Sequence, residues 1–306
     1  MGGAGRRADS LSVADSLRDA AGLGAGPTVL RMLVGSRLRA LREAAGVTVP
    51  EAAEAIRASH SKISRLELGR TGYKQRDVAD LLTLYGVHDE AERATLLELA
   101  HQASQPPWWH RFAEVVPDWF APYLGLEQAA VLVRSYEMQF VPGVLQTEDY
   151  ARAVIRLFHL DAPESEIDQR VELRMARRRM LERSTTQRLW TVVDEGALRR
   201  PHGGPAVMRA QLDHLIRVAE ELPHVSVSVV PFHVGGHAAA GGPITLLRFP
   251  QDQLADVVYL EQLDSALYTN RQDDIEHYWH TLNRLALAAE TPEASLATLR
   301  RIRDET

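Results

Sequence analysis

The sequence predicts two domains of different class. The first is an all-α N-terminal domain of five helices. The second is an α+β domain in which helices cover a small sheet. Three observations predict this. The chain has 306 residues, enough for about two domains. From Val34 to Ser104 apolar residues recur at helical spacing, with no strand-like run. After Gln105-Pro106-Pro107, which reads as a boundary, long helical patterns are followed by short β-branched runs bounded by Pro, Gly or Asp.

Residues 1–27 are rich in Gly, Ala, Ser and Arg and read as a mobile N-terminal arm, with a transient helix from Ser12 to Ala21. Residues 28–104 form the helical domain and 105–306 the α+β domain. The first helix is expected from Val34, with Leu33, Leu38 and Leu41 on one face, and Gly46 stops it. Thr48 precedes Glu51 by three residues, a capping box, and Pro50 sits in the first turn of a short second helix. Ser59 can cap a third helix from His60 to Leu68, ended by Gly69. Two more helices are expected at about 75–85 and 90–104. Beyond the boundary, Trp108, Trp109, Phe112, Trp119, Phe120 and Tyr123 read as a satellite core docking one domain on another. Helices are expected at about 127–139, 148–160, 164–182, 206–222, 273–289 and 292–303. Strands are expected at 189–193, 225–230, 244–249 and 257–260.

Composition narrows the function. Hydrophobic residues are 45% and charged residues 25%, the mix of a globular protein. The chain contains no cysteine, which excludes disulfides, thiolate metal sites, Fe–S clusters and cysteine nucleophiles. The apolar runs, none longer than that from Ala129 to Val133, are far too short to span a bilayer. Asp9, Asp15 and Asp19 interrupt any apolar core of a signal peptide, so a cytoplasmic protein is expected. The net charge is −6, yet Arg31 to Lys74 holds nine basic residues against four acidic ones. A basic region on an acidic body is the asymmetry of a domain that meets a polyanion.

The segment Val47 to Gly69 carries the chemistry. On its second helix Ile63 and Leu66 point inward, which leaves His60, Ser61, Ser64 and Arg65 outward. Such a helix fits the DNA major groove. Arg can grip guanine O6 and N7 with two bonds, and the helix N-terminus suits a phosphate. Leu38-Arg39-Ala40-Leu41-Arg42-Glu43-Ala44-Ala45-Gly46-Val47-Thr48, followed by Ser59-His60-Ser61-Lys62-Ile63-Ser64-Arg65-Leu66-Glu67-Leu68-Gly69-Arg70, resembles the five-helix domain of phage-repressor-like (XRE family) helix-turn-helix regulators. The resemblance covers about residues 34–100. It implies base reading by His60, Ser61 and Arg65. Phosphate contact is implied at Lys62, Arg70 and Lys74, with Ser59 and Ser64 at the helix cap and backbone. It also implies a structural pair between Glu67 and Arg39 or Arg42. Two positions depart from the family pattern. Val49 stands where Gln is usual, and Arg57 stands where the turn usually has Gly. If Arg57 takes a positive φ, the strain is about 1 kcal/mol.

The rest of the chain also resembles a family. Tyr136-Glu137 and Val141-Pro142-Gly143-Val144-Leu145-Gln146-Thr147-Glu148-Asp149-Tyr150-Ala151-Arg152-Ala153 are similar to a hallmark of actinobacterial regulators whose C-terminal domain is of unknown function. These are described as toxin–antitoxin-system antitoxin-like transcriptional regulators. Further matching pieces are 174–178, 193–199, 211–215, 230–232 and 258–261. The resemblance implies a homodimer and a small acidic partner protein.

Other constellations carry less. His233 and His237 have metal-like spacing, but two ligands are too few and no metal site is expected. Asp194-Glu195 reads as a cap for a short helix rather than an acid–base pair, because adjacent carboxylates point apart. No hydrolase, Walker or dinucleotide signature is present, so neither an enzyme nor a cofactor is expected. Arg170, Arg174 and Arg177 form a basic stripe on the 164–182 helix; it reads first as paired along the helix with Glu166, Glu172 and Glu182, and otherwise as a candidate surface for an acidic partner. The sequence therefore points to a sequence-specific DNA-binding regulator whose C-terminal domain senses a partner or effector and dimerises. Two alternatives stand beside it. One is an antitoxin-like module that binds a small partner and uses DNA for autoregulation. The other is a small-molecule-responsive repressor with its pocket near residues 233–242. No membrane contact is expected.

Overall fold

The computed structural model of the protein describes residues 26–183, 187–250 and 254–306. The arm expected at 1–27, with its transient helix, lies outside the described residues except for Gly26 and Pro27. The chain divides into two compact units. The first ends at Pro107; the second runs from Trp108 to Pro250 and from Ala255 to Thr306.

The first unit has the five expected helices. They are α1 (Pro27–Ala44), α2 (Val49–Ala55), α3 (His60–Glu67), α4 (Gln75–Leu84) and α5 (Glu90–Ala103). Helix α1 starts two turns earlier than the pattern around Leu33 to Leu41 suggests. Pro27 opens it, where its missing N–H leaves no bond unmade. Val29, Leu30, Leu33, Val34 and Leu38 form one buried stripe, which packs on α5 and α3.

The first four helices close in one way. In each, the residue after the helical turn donates to a carbonyl three back, and the next donates to one five back. The second bonds are Val47 to Arg42 (3.1 Å), Ala58 to Ala53 (2.8 Å), Arg70 to Arg65 (2.8 Å) and Val87 to Leu82 (3.0 Å). This closure needs a left-handed residue at its centre. Gly46, Gly69 and Gly86 supply it with φ of 67°, 65° and 72°. Between α2 and α3 the residue is Arg57, with φ 52°, the one non-glycine among the described residues at positive φ.

The second unit is built on a mixed six-stranded sheet of order β3-β2-β1-β4-β5-β6. The strands are β1 (Leu132–Glu137), β2 (Arg188–Asp194), β3 (Val225–Val230), β4 (Ile244–Arg248), β5 (Val257–Glu261) and β6 (Ala266–Thr269). Strands β1, β2 and β3 pair in parallel, which long helical connections permit. Between β1 and β2 run α7 (Glu148–Phe158) and α8 (Glu164–Arg183), preceded by α6 (Ala121–Ala129). Between β2 and β3 run α9 (Glu195–Arg199) and α10 (Pro205–Glu221). Strands β4 to β6 are antiparallel, and α11 (Gln272–Ala288) and α12 (Pro292–Glu305) close the chain.

One expectation fails here. Residues 127–139 are not one helix, because α6 stops at Ala129 and β1 begins at Leu132. β1 is a central strand, buried along its middle, so its side chains lack clean alternation and read like a helix. Edge strand β6 is only four residues long and gives no pattern to read. On one face of the sheet Tyr136, Val192, Val230, Leu246 and Val258 pack under Ile275, Leu282 and Leu285 of α11. The aromatic cluster at 108–123 belongs to the second unit. There Trp109, Phe112 and Leu124 pack on Leu173 and Ala176 of α8.

Candidate nucleic-acid interface

The site grows from α2 and α3. Thr48 opens α2 with the full capping box: the Glu51 N–H donates to the Thr48 hydroxyl (3.4 Å), and the Thr48 N–H donates to the Glu51 carboxylate (2.7 Å). Those bonds hold the Glu51 carboxyl below its usual range. Ala52 and Ala53 are the buried residues of α2, and their small side chains let α3 approach. The chain then turns through Arg57. Tolerating φ > 0 at a non-glycine residue costs on the order of 1 kcal/mol. Ser59 caps α3, its hydroxyl accepting from the Lys62 N–H at 3.2 Å.

Helix α3 buries Ile63 and Leu66, each 1% exposed. That orientation exposes His60, Ser61, Ser64 and Arg65 together. The Ser64 hydroxyl donates to the His60 carbonyl within the helix (3.2 Å), while the His60, Ser61 and Arg65 side chains make no bond among the described residues. Arg70 and Lys74 follow α3, exposed and without an ion-pair partner among the described residues. Lys62 behaves differently from the expected phosphate contact. Its Nζ lies 2.5 Å from Asp77 Oδ2 on α4, and the two side chains are 29% and 13% exposed. The reason is helix packing: α4 places a first-turn acid beside the first turn of α3. Lys62 joins two helices rather than pointing outward.

Four contacts fix the far end of α3. Arg42 clamps Glu67, and Arg39 pairs with its own helix neighbour Glu43 instead. The Tyr73 hydroxyl lies 2.6 Å from the Arg31 carbonyl and 2.9 Å from the Leu66 carbonyl. A Cβ on Gly35 would come within 2.5 Å of the Leu66 carbonyl oxygen, and one on Gly69 within 2.8 Å of the Met32 backbone. Sequence reading missed Gly35, Tyr73 and Asp77. Gly inside a strongly helical pattern was the available signal for Gly35, since it marks a close backbone approach. Nothing local marks Tyr73 or Asp77, whose partners are distant in sequence.

In the second unit, the stripe of Arg170, Arg174 and Arg177 is not an outward surface. Arg177 is 8% exposed and grips Glu127 through two bonds of 2.8 Å, with the Phe120 and Tyr123 rings beside its guanidinium. Arg174 donates to Gln146 at 2.9 Å. Arg170 donates to Glu166 at 2.7 Å and to the Val115 carbonyl at 2.8 Å. Their spacing does place them on one helix face. That face meets α6 and the turn before α7, and internal acceptors there satisfy the charges. Burial and Glu261 push the nearby Glu137 carboxyl up to about 8.

Asp194 caps α9 by accepting from the Gly196 N–H at 2.8 Å. Glu195 accepts from the Phe232 N–H (2.8 Å) and from Arg199 (2.6 Å), which commits it to structure. His237 Nε2 lies 3.0 Å from the Tyr136 hydroxyl, and Val234 and Ala239 pack into the core beneath the loop. No group of three or more metal-ligating side chains occurs among the described residues. Among them, no helix is long and apolar enough to cross a membrane.

Two family models match the chain. A helix-turn-helix domain matches residues 33–96, which span all of α2, α3 and α4, most of α1 and the first half of α5. A domain of unknown function (DUF5753) matches residues 120–301, which span the whole sheet. No curated protein and no solved structure matches the chain. A match over more than half of the 306 residues settles the family: the chain belongs to the one described as domain of unknown function (DUF5753), with a helix-turn-helix domain ahead of it.

Proposed function

We propose that the protein is a sequence-specific DNA-binding transcription regulator of the XRE type, cytoplasmic and without catalytic activity. The observation that carries this reading is the exposed face of α3. Among the described residues His60, Ser61 and Arg65 stand there unbonded over buried Ile63 and Leu66, with Arg70 and Lys74 unpaired beyond. Such a helix presents base-reading donors from its first two turns. Arg65 is the strongest candidate for a two-bond contact to guanine, and Arg70 and Lys74 for phosphates. Ser59 and Ser64 serve the helix itself, one as its cap and one bonded back to the His60 carbonyl. Two copies bound to an inverted repeat would place their α3 helices about one DNA turn apart.

In this reading the second unit senses an effector or partner and brings two copies together. A protein partner is an inference from the family resemblance, because the arginines that suggested an acidic docking surface are paired internally. The test is fluorescence anisotropy with DNA from upstream of its own gene, at two salt concentrations, against a scrambled duplex. Specific, salt-dependent binding is expected, and Arg65→Ala should lose about 1–3 kcal/mol on the specific duplex alone. Equal loss on scrambled DNA would remove Arg65 from base reading. No binding at all would overturn the regulator.

A further inference from the structure

Arg57 stands at a position where its own unit uses glycine three times over. The four helix ends share one hydrogen-bond closure, and the central residue is Gly46, Gly69 or Gly86 in three of them. Arg57 adopts the same left-handed backbone at φ 52° without the freedom glycine has. Its side chain is exposed, and no described residue pairs with it. The fold therefore gains nothing from an arginine here that glycine would not supply with less strain. Strained backbone that brings no internal contact is the mark of a residue held for an external one. The position is also specific. Arg57 lies two residues before Ser59, the cap of the exposed helix, in the turn that leads into it.

We propose that Arg57 is a DNA-phosphate contact, with the left-handed turn projecting its guanidinium onto the backbone flanking the groove that α3 enters. This rests on the DNA-binding reading and adds to it a cation outside the expected contact set. A guanidinium at a phosphate adds affinity without sequence information, and it releases about one counterion.

The test compares the full chain with Arg57→Gly and Arg57→Lys on the upstream duplex and on a scrambled one, across a salt series. Arg57→Gly should melt at a higher temperature than the wild type, because the turn is relieved. It should nevertheless bind both duplexes several-fold more weakly, with the log–log salt slope shallower by about 0.9. Arg57→Lys should keep the wild-type slope. An Arg57→Gly protein with unchanged affinity and slope would overturn the contact while leaving the regulator standing. A wild type that binds neither duplex would overturn the regulator, and this contact with it.

Discussion

Arg42 and Glu67, twenty-five residues apart, are joined by two bonds: Nε to Oε1 at 2.5 Å and Nη2 to Oε2 at 3.0 Å. The third arm of the guanidinium donates to the Val47 carbonyl at 3.0 Å. The two side chains are 11% and 7% exposed, so the pair sits in a low-dielectric setting where a lone charge is costly. The hydrogen bond to Glu67 holds the Arg42 guanidinium above its usual pKa. Through this pair the first helix sets where the exposed helix ends.

Glu67→Ala should leave the largely covered Arg42 guanidinium with only Glu43, at 3.6 Å, as its counter-charge and destabilise the first unit by about 1–3 kcal/mol. Amide exchange checks this locally. The Leu38 and Leu66 amides should exchange faster while those of the central sheet do not change. Unchanged exchange at Leu66 would mean the pair is not holding α3.

Lys62→Ala separates a structural cation from a DNA-facing one. The Lys62–Asp77 pair is partly exposed and is worth about 1 kcal/mol or less. The variant should melt slightly earlier and keep the wild-type salt slope on DNA. Arg70→Ala and Lys74→Ala should each reduce that slope by about 0.9 and leave melting unchanged. A shallower slope for Lys62→Ala would place it back at a phosphate.

Gly35→Ala tests the crossing of α1 over α3. The added methyl would sit 2.5 Å from the Leu66 carbonyl oxygen and 2.7 Å from that of Glu67, so the helices must part. A loss of about 1–3 kcal/mol is expected on denaturant unfolding. Gly72→Ala is the control, because nothing lies within 4 Å of that position. Equal behaviour of the two variants would refute the close approach.

His214 gives the second unit a pH dependence. It is 6% exposed, accepts from Arg217 at 2.8 Å and lies near Arg178. Burial first, then those two cations, lower its pKa from 6.5 to about 4. The unfolded chain therefore takes up a proton between pH 6.5 and about 4 that the folded chain refuses. The stability difference is fully present above pH 6.5 and is lost as pH falls toward 4, on the order of 2 kcal/mol. Stability measured from pH 7 to 4.5 should fall less steeply in His214→Gln. Identical slopes would mean that His214 titrates normally.

Much of the first unit is legible from local chemistry. The capping box at Thr48 and Glu51, the Ser59 cap and the stops at Gly46 and Gly69 are short-range signals, and each stands where it was read. The inward pair Ile63 and Leu66 follows from helical spacing alone, which also turns His60, Ser61 and Arg65 outward. The second unit is legible in its longer helices and in four of its strands. Strand β1 escaped because it buries Arg134 and Ser135 beside Val133 and Tyr136, so hydrophobicity does not alternate along it as it does in a half-buried strand. On α8 helical spacing gives the Arg170–Glu166 pair, while the partners of Arg174 and Arg177, Gln146 and Glu127, come from elsewhere in the chain. Periodicity says which residues share a face, and it does not say what that face meets.

The sequence by itself determined the caps of α2 and α3, the stops at Gly46 and Gly69, the exposed face of α3 and the excess of positive charge around it, because these depend on residues within a turn or two of each other. Only the tertiary structure decided which of those cations are free. Lys62 lost its place to Asp77 on another helix, and Arg174 and Arg177 turned inward to Gln146 and Glu127. Arg57, Arg65, Arg70 and Lys74 have no partner among the described residues. The physical reason is that an ion pair forms at a few ångströms across a packed interface. Which side chains reach that distance is set by the whole fold rather than by spacing along the chain.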